Sequence, residues 1–581
     1  MHISKIGLPV LLLVLQISAV AQTTAPAPPA VKTFCNPLNL PYNFQPAKNT
    51  YREAADPVIV LYKNKYWLFA SKQTGYWYSD DLLNWHFVVP EGLPLSIYAP
   101  SITVVNHKLC YTTGDTSGTF TTNDPLAGKW ININAYPAGT HDPAVFQDSD
   151  GKVYLYDGCS NQTPLRYTEL DKNSFLPVGS PTPVIYADTA HHGWEVAGEH
   201  NRGRKEDDMS QQSITPWIEG SFVNKINNRY YLQYAGPGTE FKTYGDGVYT
   251  AEKPTGPFVY QPYSPFSFKP TGFIGGAGHS CTFLDKSHQF WHIATGTISV
   301  RHMFERRLML FPSAVLADGQ LVTDTYLGDY PQFAPANNRN HLAGNSPRWM
   351  LLSYKKPATA SSAKDGFDIK NAFDENIRTW WSAATGNPRE WLQVDLEKRC
   401  RVNAIQTNFA DEGCVIEGAQ GTHVYKYIIE ASADGKKWTT IVNHSAQAKD
   451  APHDYVQLNK PVMARYLRIS NIQYPGKGLF SIYDFRVFGS ALGKLPAAVE
   501  QVVVSRNKDD QRRANVSWAA TAGADFYIVR YGIAPNKLYS NYQVYDANSI
   551  DINSLNTGVD YYFTVDAVNA TGITRGKIVA R

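Results

Sequence analysis

DPVIVLYKNKYWLFA (residues 56–70), APSITVVNHKLCYTT (99–113) and DPAVFQDSDGKVYLYDG (142–158) begin 43 residues apart and share one pattern: a short apolar run, a polar turn and an aromatic-rich run. Two further copies follow at wider spacing, EGSFVNKINNRYYLQYA (219–235) and GHSCTFLDKSHQFWHIA (278–294). Strand repeats with a period of about 40–50 residues are typical of β-propellers, with one blade per repeat. The repeats therefore predict a five-bladed β-propeller over residues 33–335, with the polar first residues of all five repeats facing the central axis.

The N-terminal segment reads MHISKIGLPVLLLVLQISAVAQ, in which an apolar run precedes Ala19-Val20-Ala21. This pattern predicts a secretory signal peptide over residues 1–21 and a Pro/Ala-rich tether over residues 22–32. The apolar run is too short to span a bilayer, and no cysteine stands at the cleavage point. We therefore expect a secreted or periplasmic protein without a membrane span.

Composition narrows the classes of partner. The net charge of the 581 residues is only +3 and no Lys/Arg cluster stands out, so nucleic acid is a poor candidate partner. The 13 Trp and 36 Tyr suit a strand-rich fold, and most of them are expected in the core. Six cysteines do not make a disulfide scaffold, although Cys400 and Cys414 are close enough in sequence to close a loop.

Two further modules follow a linker at residues 336–350. The strings NAFDEN…TWW…WLQVDL, YIIEASADGKKW (Tyr427–Trp438) and RYLR (Arg465–Arg468) resemble the coagulation factor 5/8 type C, or discoidin, domain. That resemblance implies a jelly-roll β-sandwich over residues 351–490. Residues 495–581 contain several short alternating runs, and the spacing of Leu555 and Tyr561 resembles the tyrosine corner of a fibronectin type III domain, an immunoglobulin-like sandwich.

Three carboxylates stand at the heads of repeats. Glycosidic bond cleavage requires two carboxyl groups with opposite duties, one protonated and one ionised. The strings ADP (Ala55–Pro57), HDP (His141–Pro143) and WIEG (Trp217–Gly220) resemble glycoside hydrolase family 43. The resemblance implies that Asp56 is the general base, Glu219 the general acid, and Asp142 the residue that orients Glu219 and tunes its pKa. Turn-forming aspartates are the alternative for each Asp-Pro pair alone, but the shared register favours an active site.

Further residues are candidates for sugar contact. An insertion at Thr189–Thr215, between repeats three and four, is expected to wall the substrate site because long loops are usually functional. The candidate substrate-binding residues are Trp77, Tyr98, Trp194, Glu195, His279, Arg301 and Arg306. The resemblance implies no required cofactor, with a structural calcium or sodium ion near the axis, contacted by His279 through water, as an open alternative.

The resemblance implies a secreted, exo-acting, inverting glycoside hydrolase that acts on a polysaccharide or oligosaccharide. An α-L-arabinofuranosidase or β-xylosidase that removes terminal pentoses from plant-type polysaccharides is the first hypothesis. An exo-β-galactosidase and a non-catalytic carbohydrate-binding or adhesion protein are the alternatives. Because every candidate catalytic carboxylate precedes Pro335, the two later modules are expected to deliver the propeller to substrate. The sequence leaves the terminal sugar and the oligomeric state open.

Overall fold

The computed structural model describes residues 31–45, 50–114, 118–134, 140–203, 214–335, 342, 345–416 and 423–580. The predicted signal peptide, most of the tether, residues 204–213 of the insertion and much of the linker lie outside these ranges. Within the described ranges there is no α-helix, and therefore none long and apolar enough to cross a membrane.

The repeats form five consecutive antiparallel sheets, the fourth with five strands and the others with four, preceded by β1 (Thr33–Phe34), β2 (Asn43–Gln45) and β3 (Tyr51–Glu53). The first two sheets consist of β4 (Val58–Tyr62), β5 (Lys65–Phe69), β6 (Tyr76–Ser79) and β7 (Trp85–Val88), and of β8 (Ser101–Val105), β9 (Lys108–Thr112), β10 (Thr119–Thr122) and β11 (Ile131–Asn134). The third contains β12 (Ala144–Gln147), β13 (Val153–Asp157), β14 (Leu165–Leu170) and β15 (Thr182–Ile185). The fourth contains β16 (Glu219–Ile226), β17 (Arg229–Gly236), β18 (Gly245–Ala251) and β19 (Val259–Tyr260), with β20 (Ser267–Phe268) also paired to β18. The fifth contains β21 (Gly275–Leu284), β22 (Phe290–Thr297), β23 (Arg306–Val315) and β24 (Leu321–Thr323).

The first strands of neighbouring sheets contact one another, and β21 of the fifth sheet contacts β4 of the first. The strands at the axis therefore form a closed ring, which confirms the predicted five-bladed propeller. At the two ends of the propeller segment of the chain, β1 pairs with β25 (Gln332–Phe333).

Tight hairpins explain why three of the repeats fold locally as they do. The two-residue turns Lys63-Asn64, Asn106-His107 and Asn227-Asn228 have positive φ at both positions, between 49° and 64°. Such turns match the right-handed twist of the strands they join, and asparagine tolerates the left-handed conformation. They fix the register of each inner strand and therefore the position of the residue that precedes it.

The second module is a β-sandwich made from one bent eight-stranded sheet. Its strands are β26 (Met350–Leu351), β27 (Ala358–Ala360), β28 (Trp381–Ser382), β29 (Trp391–Phe409), β30 (Lys426–Ser432), β31 (Trp438–Asn443), β32 (His453–Gln473) and β33 (Ser481–Ala491). Register shifts between Asp395 and Cys400 and between Val402 and Ala404 interrupt the pairing of β29 with β32. Such bulges bend long strands, so one strand can serve both faces of the sandwich.

The third module has two sheets. One consists of β34 (Val503–Arg506), β35 (Ala514–Ser517) and β38 (Ser549–Ile552); the other contains β36 (Phe526–Gly532), β37 (Ser540–Val544), β39 (Tyr562–Asn569) and β40 (Gly572–Thr574), with β41 (Val579–Ala580) on β39. The Asn556 amide donates to Tyr561 Oη over 3.0 Å, as expected of a tyrosine corner. The fibronectin type III assignment itself stays a prediction.

Buried charges join the three modules. Arg486 of β33 binds Glu375 over 2.7 Å and donates to the Asp329 carbonyl of the propeller over 2.5 Å. The Asp329 carboxylate accepts from Lys269 over 3.0 Å and from Gln543 of the third module over 3.1 Å. Asp329 therefore lies where all three modules meet, and the later modules are packed on the propeller rather than loosely tethered to it.

A second buried pair links the propeller to the sandwich. Arg52 of β3 donates to Asp411 over 2.9 Å and to Asp450 over 2.7 Å. The sandwich's own thiols, Cys400 and Cys414, are both free and buried. The disulfide suggested by their spacing is therefore wrong: each sulfur instead donates to a nearby backbone carbonyl, of Lys398 and of Pro475 respectively.

Candidate active site

One backbone feature recurs where the chain enters the inner strand of each sheet: a residue with positive φ. These residues are Asp56 (52°), Ala99 (46°), Asp142 (46°), Gly220 (64°) and His279 (42°). The left-handed conformation costs a non-glycine residue about 1–2 kcal/mol, so its recurrence marks a position that the fold enforces. It brings the Asp56 and Asp142 carboxylates to 3.3 and 3.7 Å from His279 Nδ1.

Asp56 is a buried carboxylate kept ionised by its neighbours. Its Oδ2 accepts from Ser71 Oγ over 2.5 Å, and Arg306 Nη1 lies 3.4 Å from its Oδ1. Burial alone would raise the pKa of Asp56, but the charges of Arg306 and His279 and the Ser71 hydrogen bond lower it below its ordinary value. A carboxylate that stays ionised while shielded from bulk water suits a general base.

Glu219 and Asp142 form the second half of the cluster. Glu219 Oε1 accepts a short hydrogen bond from Tyr244 Oη, and Oε2 accepts from Cys159 Sγ over 3.0 Å. Burial, together with the charges of Glu219 and Asp56, raises the pKa of Asp142 from 3.8 to about 7, against the opposing effect of His279. The Asp142 carboxyl can therefore hold a proton close to neutral pH, beside Glu219.

His279 lies among these carboxylates. Burial would lower the pKa of His279, but the charges of Asp56, Asp142 and Glu219 raise it above its ordinary value, which favours the imidazolium. Gly220 makes room for the ring, because a Cβ at this position would lie 2.7 Å from His279 Cγ. The close approach of the His279 ring thus explains the glycine in the motif WIEG.

Asp142, Glu219 and His279 place potential ligand atoms within 4.8 Å of one another, a spacing that a metal ion could bridge. Two carboxylates and one imidazole fall short of the six to eight oxygen ligands that Ca²⁺ takes, so this donor set fits calcium poorly. The structural calcium or sodium ion expected near the axis stays a prediction, and no step below depends on it.

Asp246 on β18 supports His279 from the neighbouring blade. Its Oδ1 accepts from the His279 amide over 2.9 Å, and its Oδ2 accepts a short hydrogen bond from Ser280 Oγ. Burial raises the pKa of Asp246 to about 8. No sequence pattern indicates this role, because Asp246 lies in the third strand of its repeat and not at a repeat head.

Arg306 is one predicted sugar contact that the structure brings to the cluster. Its Nη2 donates to Glu53 Oε1 over 2.7 Å, and its Nη1 donates to Thr239 Oγ1 over 2.9 Å. The side chain is almost wholly buried beneath Asp56, and Asp56 and Glu53 raise its pKa despite the opposing effect of burial. In the structure it is the ion-pair partner of Glu53 and Asp56, and its charge lowers the pKa of Asp56.

Four of the predicted substrate-binding residues lie elsewhere. Trp77 and Trp194 are fully buried, the first packed on Phe87 and the second donating to Tyr260 Oη, so neither can stack on a sugar. Glu195 is fully buried and accepts from Tyr234 and His192. Arg301 donates to Tyr483 and to the Ala410 carbonyl of the second module. The prediction of sugar contact is wrong for these four, because aromatic and charged composition does not distinguish core and interface from cleft.

Tyr98 borders the cluster. Its half-buried ring lies 5.9 Å from Arg306 Cζ and 3.9 Å from Lys72 Nζ. The described part of the insertion also approaches the cluster, since Gly198 O accepts from Thr243 Oγ1 over 2.7 Å, one residue before Tyr244. Sugar contact by Tyr98 and a walling role of the insertion stay predictions.

A closed ring of blades that carries Asp56, with a lowered pKa, and Asp142, with a pKa of about 7, around its axis defines the class of β-propeller proteins with a glycosidase-type site. Residues 50–321 of the chain match the model described as glycosyl hydrolases family 43, and residues 357–485 match the F5/8 type C domain. The resemblances of these two regions seen in the sequence are thereby confirmed.

Individual relatives are distant. The chain is 25% identical over 253 residues to "Beta-D-galactofuranosidase xynD" of Aspergillus niger, which covers 36% of this chain and 64% of that protein. It is 26% identical over 152 residues to "Beta-xylosidase" of Xylanibacter ruminicola, covering 24% of this chain and 42% of that one. A solved thermostable family-43 glycoside hydrolase shares 20% identity over 53% of this chain and all of that chain, with a TM-score of 0.42. The chain thus spans less than two thirds of either named relative.

Proposed function

We propose that the protein is a secreted, exo-acting, inverting glycoside hydrolase that removes terminal pentose residues from plant-type polysaccharides. The observation that carries the proposal is the contrast between two environments within one cluster. Arg306 and Ser71 lower the pKa of Asp56, while burial and the charges of Glu219 and Asp56 raise the pKa of Asp142 to about 7. Carboxyl groups whose pKa values are pushed apart are the requirement for acid–base cleavage of a glycosidic bond.

In this mechanism Glu219 donates its proton to the departing glycosidic oxygen while Asp56 takes a proton from the attacking water. Asp142, beside Glu219 in the cluster, orients the acid. Tyr244 and Cys159 hold the two oxygens of Glu219 in place. The imidazolium of His279 offsets the negative charge that three carboxylates would otherwise accumulate. Inversion requires a gap of about 6.5–9.5 Å between acid and base for the water, and the location of Asp56 and Glu219 on separate blades supports it.

The identity of the sugar is the less specified part of the proposal. The names of the two relatives point to β-xylosides and to β-D-galactofuranosides. Galactofuranose has a five-membered ring like arabinofuranose, so a furanosidase is the first substrate class to test. An exo-β-galactosidase on the same scaffold is the second candidate. Export by the predicted signal peptide, and catalysis without a required cofactor, belong to the same proposal.

A substrate panel tests the proposal. p-Nitrophenyl α-L-arabinofuranoside, β-D-xyloside, β-D-galactofuranoside and β-D-galactoside are assayed beside branched arabinan, arabinoxylan and arabinogalactan, and released monosaccharides are identified. We expect release of a single monosaccharide from chain ends or side chains, with the inverted anomer formed first by proton NMR. Oligosaccharide products would contradict exo action, a retained anomer would contradict inversion, and sugar binding without any release would favour a non-catalytic protein.

A further inference from the structure

Trp217 stands apart from the other tryptophans of the chain by its exposure. All 13 tryptophans lie in the described ranges; Trp217 exposes 37% of its surface, whereas the others are buried or half-buried. It precedes Glu219 by two residues. A large apolar side chain held at the surface is the informative exception in a folded protein, so this exposure next to the acid needs a physical reason.

The local backbone places the Trp217 ring on the same side of the chain as the Glu219 carboxyl. Ile218, between them, is buried in the core shared by the third and fourth sheets. Side chains alternate along an extended segment, so both neighbours of Ile218 face away from that core. The Trp217 amide donates to the Pro237 carbonyl over 2.8 Å, which fixes the backbone here. The ring is therefore held at the surface beside the acid.

An exposed carboxamide lies across from this ring. Ser160 and Ile218 form an antiparallel bridge with two backbone hydrogen bonds of 3.2 and 3.1 Å. In that register Cys159 stands opposite Glu219, in agreement with the 3.0 Å between Sγ and Oε2, and Asn161 stands opposite the tryptophan. Asn161 is exposed. An indole and a carboxamide thus lie side by side at the surface, one step along the bridge from the acid.

We propose that Trp217 and Asn161 form a subsite for the sugar on the leaving-group side of the scissile bond, so that the substrate is a glycan and not a glycoside of a small alcohol. This inference rests on the proposed function, in which Glu219 protonates the departing oxygen. The group that carries this oxygen must then lie beside Glu219, where the ring and the carboxamide are.

The chemistry of the two side chains fits a sugar. A sugar ring presents C–H groups on its face, which pack on an indole, and its hydroxyls can both donate to and accept from an amide. Neither side chain is charged, which favours a neutral sugar. Ligand sites commonly combine an aromatic surface with a few polar groups that fix orientation.

Protection from oxidation tests the subsite without enzyme activity. N-Bromosuccinimide oxidises exposed indole rings, and peptide mass mapping locates the product. The probes are xylotetraose, arabinotetraose and galactotetraose, added to Glu219→Gln so that no bond is cleaved. We expect at least one of them, at several times its Kd, to slow oxidation of Trp217 about fivefold or more. Trp85, half-buried on the outer strand of the first sheet, is the internal control and should react at an unchanged rate.

Monosaccharides separate this subsite from that of the terminal sugar. D-Xylose, L-arabinose and D-galactose correspond to the released sugars and should leave the oxidation rate of Trp217 unchanged. Protection by a monosaccharide as strong as that by its tetrasaccharide would place the ring at the terminal sugar and overturn the proposal. Absence of protection by all three tetrasaccharides would overturn it as well.

Isothermal titration calorimetry provides a second measurement with the protecting tetrasaccharide, again in the Glu219→Gln background. Trp217→Ala should weaken binding about tenfold and Asn161→Ala about threefold, whereas Trp217→Phe, which keeps an aromatic ring, should stay within about threefold. Leu284→Ala is the matched control, because Leu284 is 40% exposed at the end of β21 away from His279, and it should leave Kd unchanged. An unchanged Kd in Trp217→Ala would refute the subsite.

Failure of this inference is distinguishable from failure of the proposed function. Protection of Trp217 by a tetrasaccharide, without release of any sugar by the parent protein, would support the subsite and overturn the glycosidase. Release of sugar by a protein whose Trp217 is never protected would support the glycosidase and overturn the subsite.

Discussion

At the scale of single residues, two aspartates of the cluster have pKa shifts of opposite sign. Asp56 accepts from a hydroxyl and faces a guanidinium, whereas Asp142 faces Glu219 with only a thiol between them. Burial raises the pKa of both carboxyls. At Asp56 the charges of Arg306 and His279 outweigh burial, whereas at Asp142 the charges of Glu219 and Asp56 add to burial against the opposing charge of His279. This division of roles depends on Arg306 and His279 as much as on the carboxyls.

Asp56→Asn and Glu219→Gln should each lower kcat/KM by about 10²-fold or more, the usual contribution of general acid–base catalysis. Both changes keep the side-chain shape, so the melting temperature should stay close to that of the parent protein. Asp80→Asn, on an exposed turn of the same first sheet, is the control and should keep full activity. A folded Asp56 or Glu219 variant with parental turnover would refute the assignment of acid and base.

At the scale of strands, β18 and β21 are joined by a carboxyl that ionises with difficulty. Asp246 on β18 holds the His279 backbone on β21, and burial raises its pKa from 3.8 to about 8. An aspartate whose pKa is higher in the folded state binds its proton more tightly there. Its contribution to stability is therefore complete below about pH 4 and is lost as pH rises through about 8.

We expect the melting temperature to fall between pH 7 and 8.5. In this range buried neutral histidines no longer make the stability depend on pH. Asp142, with a pKa of about 7, adds to the same trend. Asp246→Asn should flatten the dependence, because the amide does not titrate and still accepts from the His279 amide. Differential scanning calorimetry of both proteins across this window makes the comparison; parallel curves would show that Asp246 is not the titrating group.

At the scale of the whole molecule, buried ion pairs determine how the modules are arranged. Arg486 and Glu375 have fully buried side chains, and Arg52 meets Asp411 and Asp450 at a second contact. Arg52 precedes Glu53, which binds Arg306 beneath the catalytic cluster. The sandwich is therefore connected to Asp56 through three ion pairs: Asp411–Arg52, Glu53–Arg306 and Arg306–Asp56. The first two are joined by the peptide bond between Arg52 and Glu53.

Glu375→Gln should destabilise the protein by about 3–5 kcal/mol, because it leaves the Arg486 charge buried without a partner. Glu397→Gln removes an exposed carboxylate paired with Lys356 in the same module, and should change stability by under about 1 kcal/mol. Urea unfolding of the two variants provides the test. Equal effects would mean that the buried pair does not secure the interface.

A chain that ends at residue 350 should lose both cooperative unfolding and activity on a small aryl glycoside. Truncation removes the partners of Arg52 and uncovers apolar side chains such as Phe273 and Ile274 that pack against the second module. Circular dichroism, a melting curve and the aryl glycoside assay decide the matter together. A folded, active truncation would restore the division of labour expected from the sequence, with the later modules serving only for delivery.

The residues that could be predicted from the sequence are those whose position the repeat defines. Asp56, Asp142, Glu219 and His279 stand at repeat heads, and strand periodicity carries each head to the axis. Cys159, Tyr244 and Asp246 were missed because they lie in or beside later strands of their repeats, where spacing carries no such signal. The burial of Trp77 and Trp194 was equally hidden, since a tryptophan in a strand satisfies a core and a cleft alike. The junction at Asp329 joins residues more than 200 positions apart in the chain, which local patterns cannot register.

The return of the third module onto the insertion has a consequence for the order of assembly during synthesis. The Gly193 amide donates to the Leu555 carbonyl over 2.9 Å, and the Thr557 amide donates to the His191 carbonyl, also over 2.9 Å. A ribosome must therefore translate past Thr557 before the loop beside Thr243 can acquire these neighbours. Contacts of such long sequence separation form slowly. Maturation of this side of the cluster thus waits for synthesis of the third module, and a nascent chain released before that point would lack it.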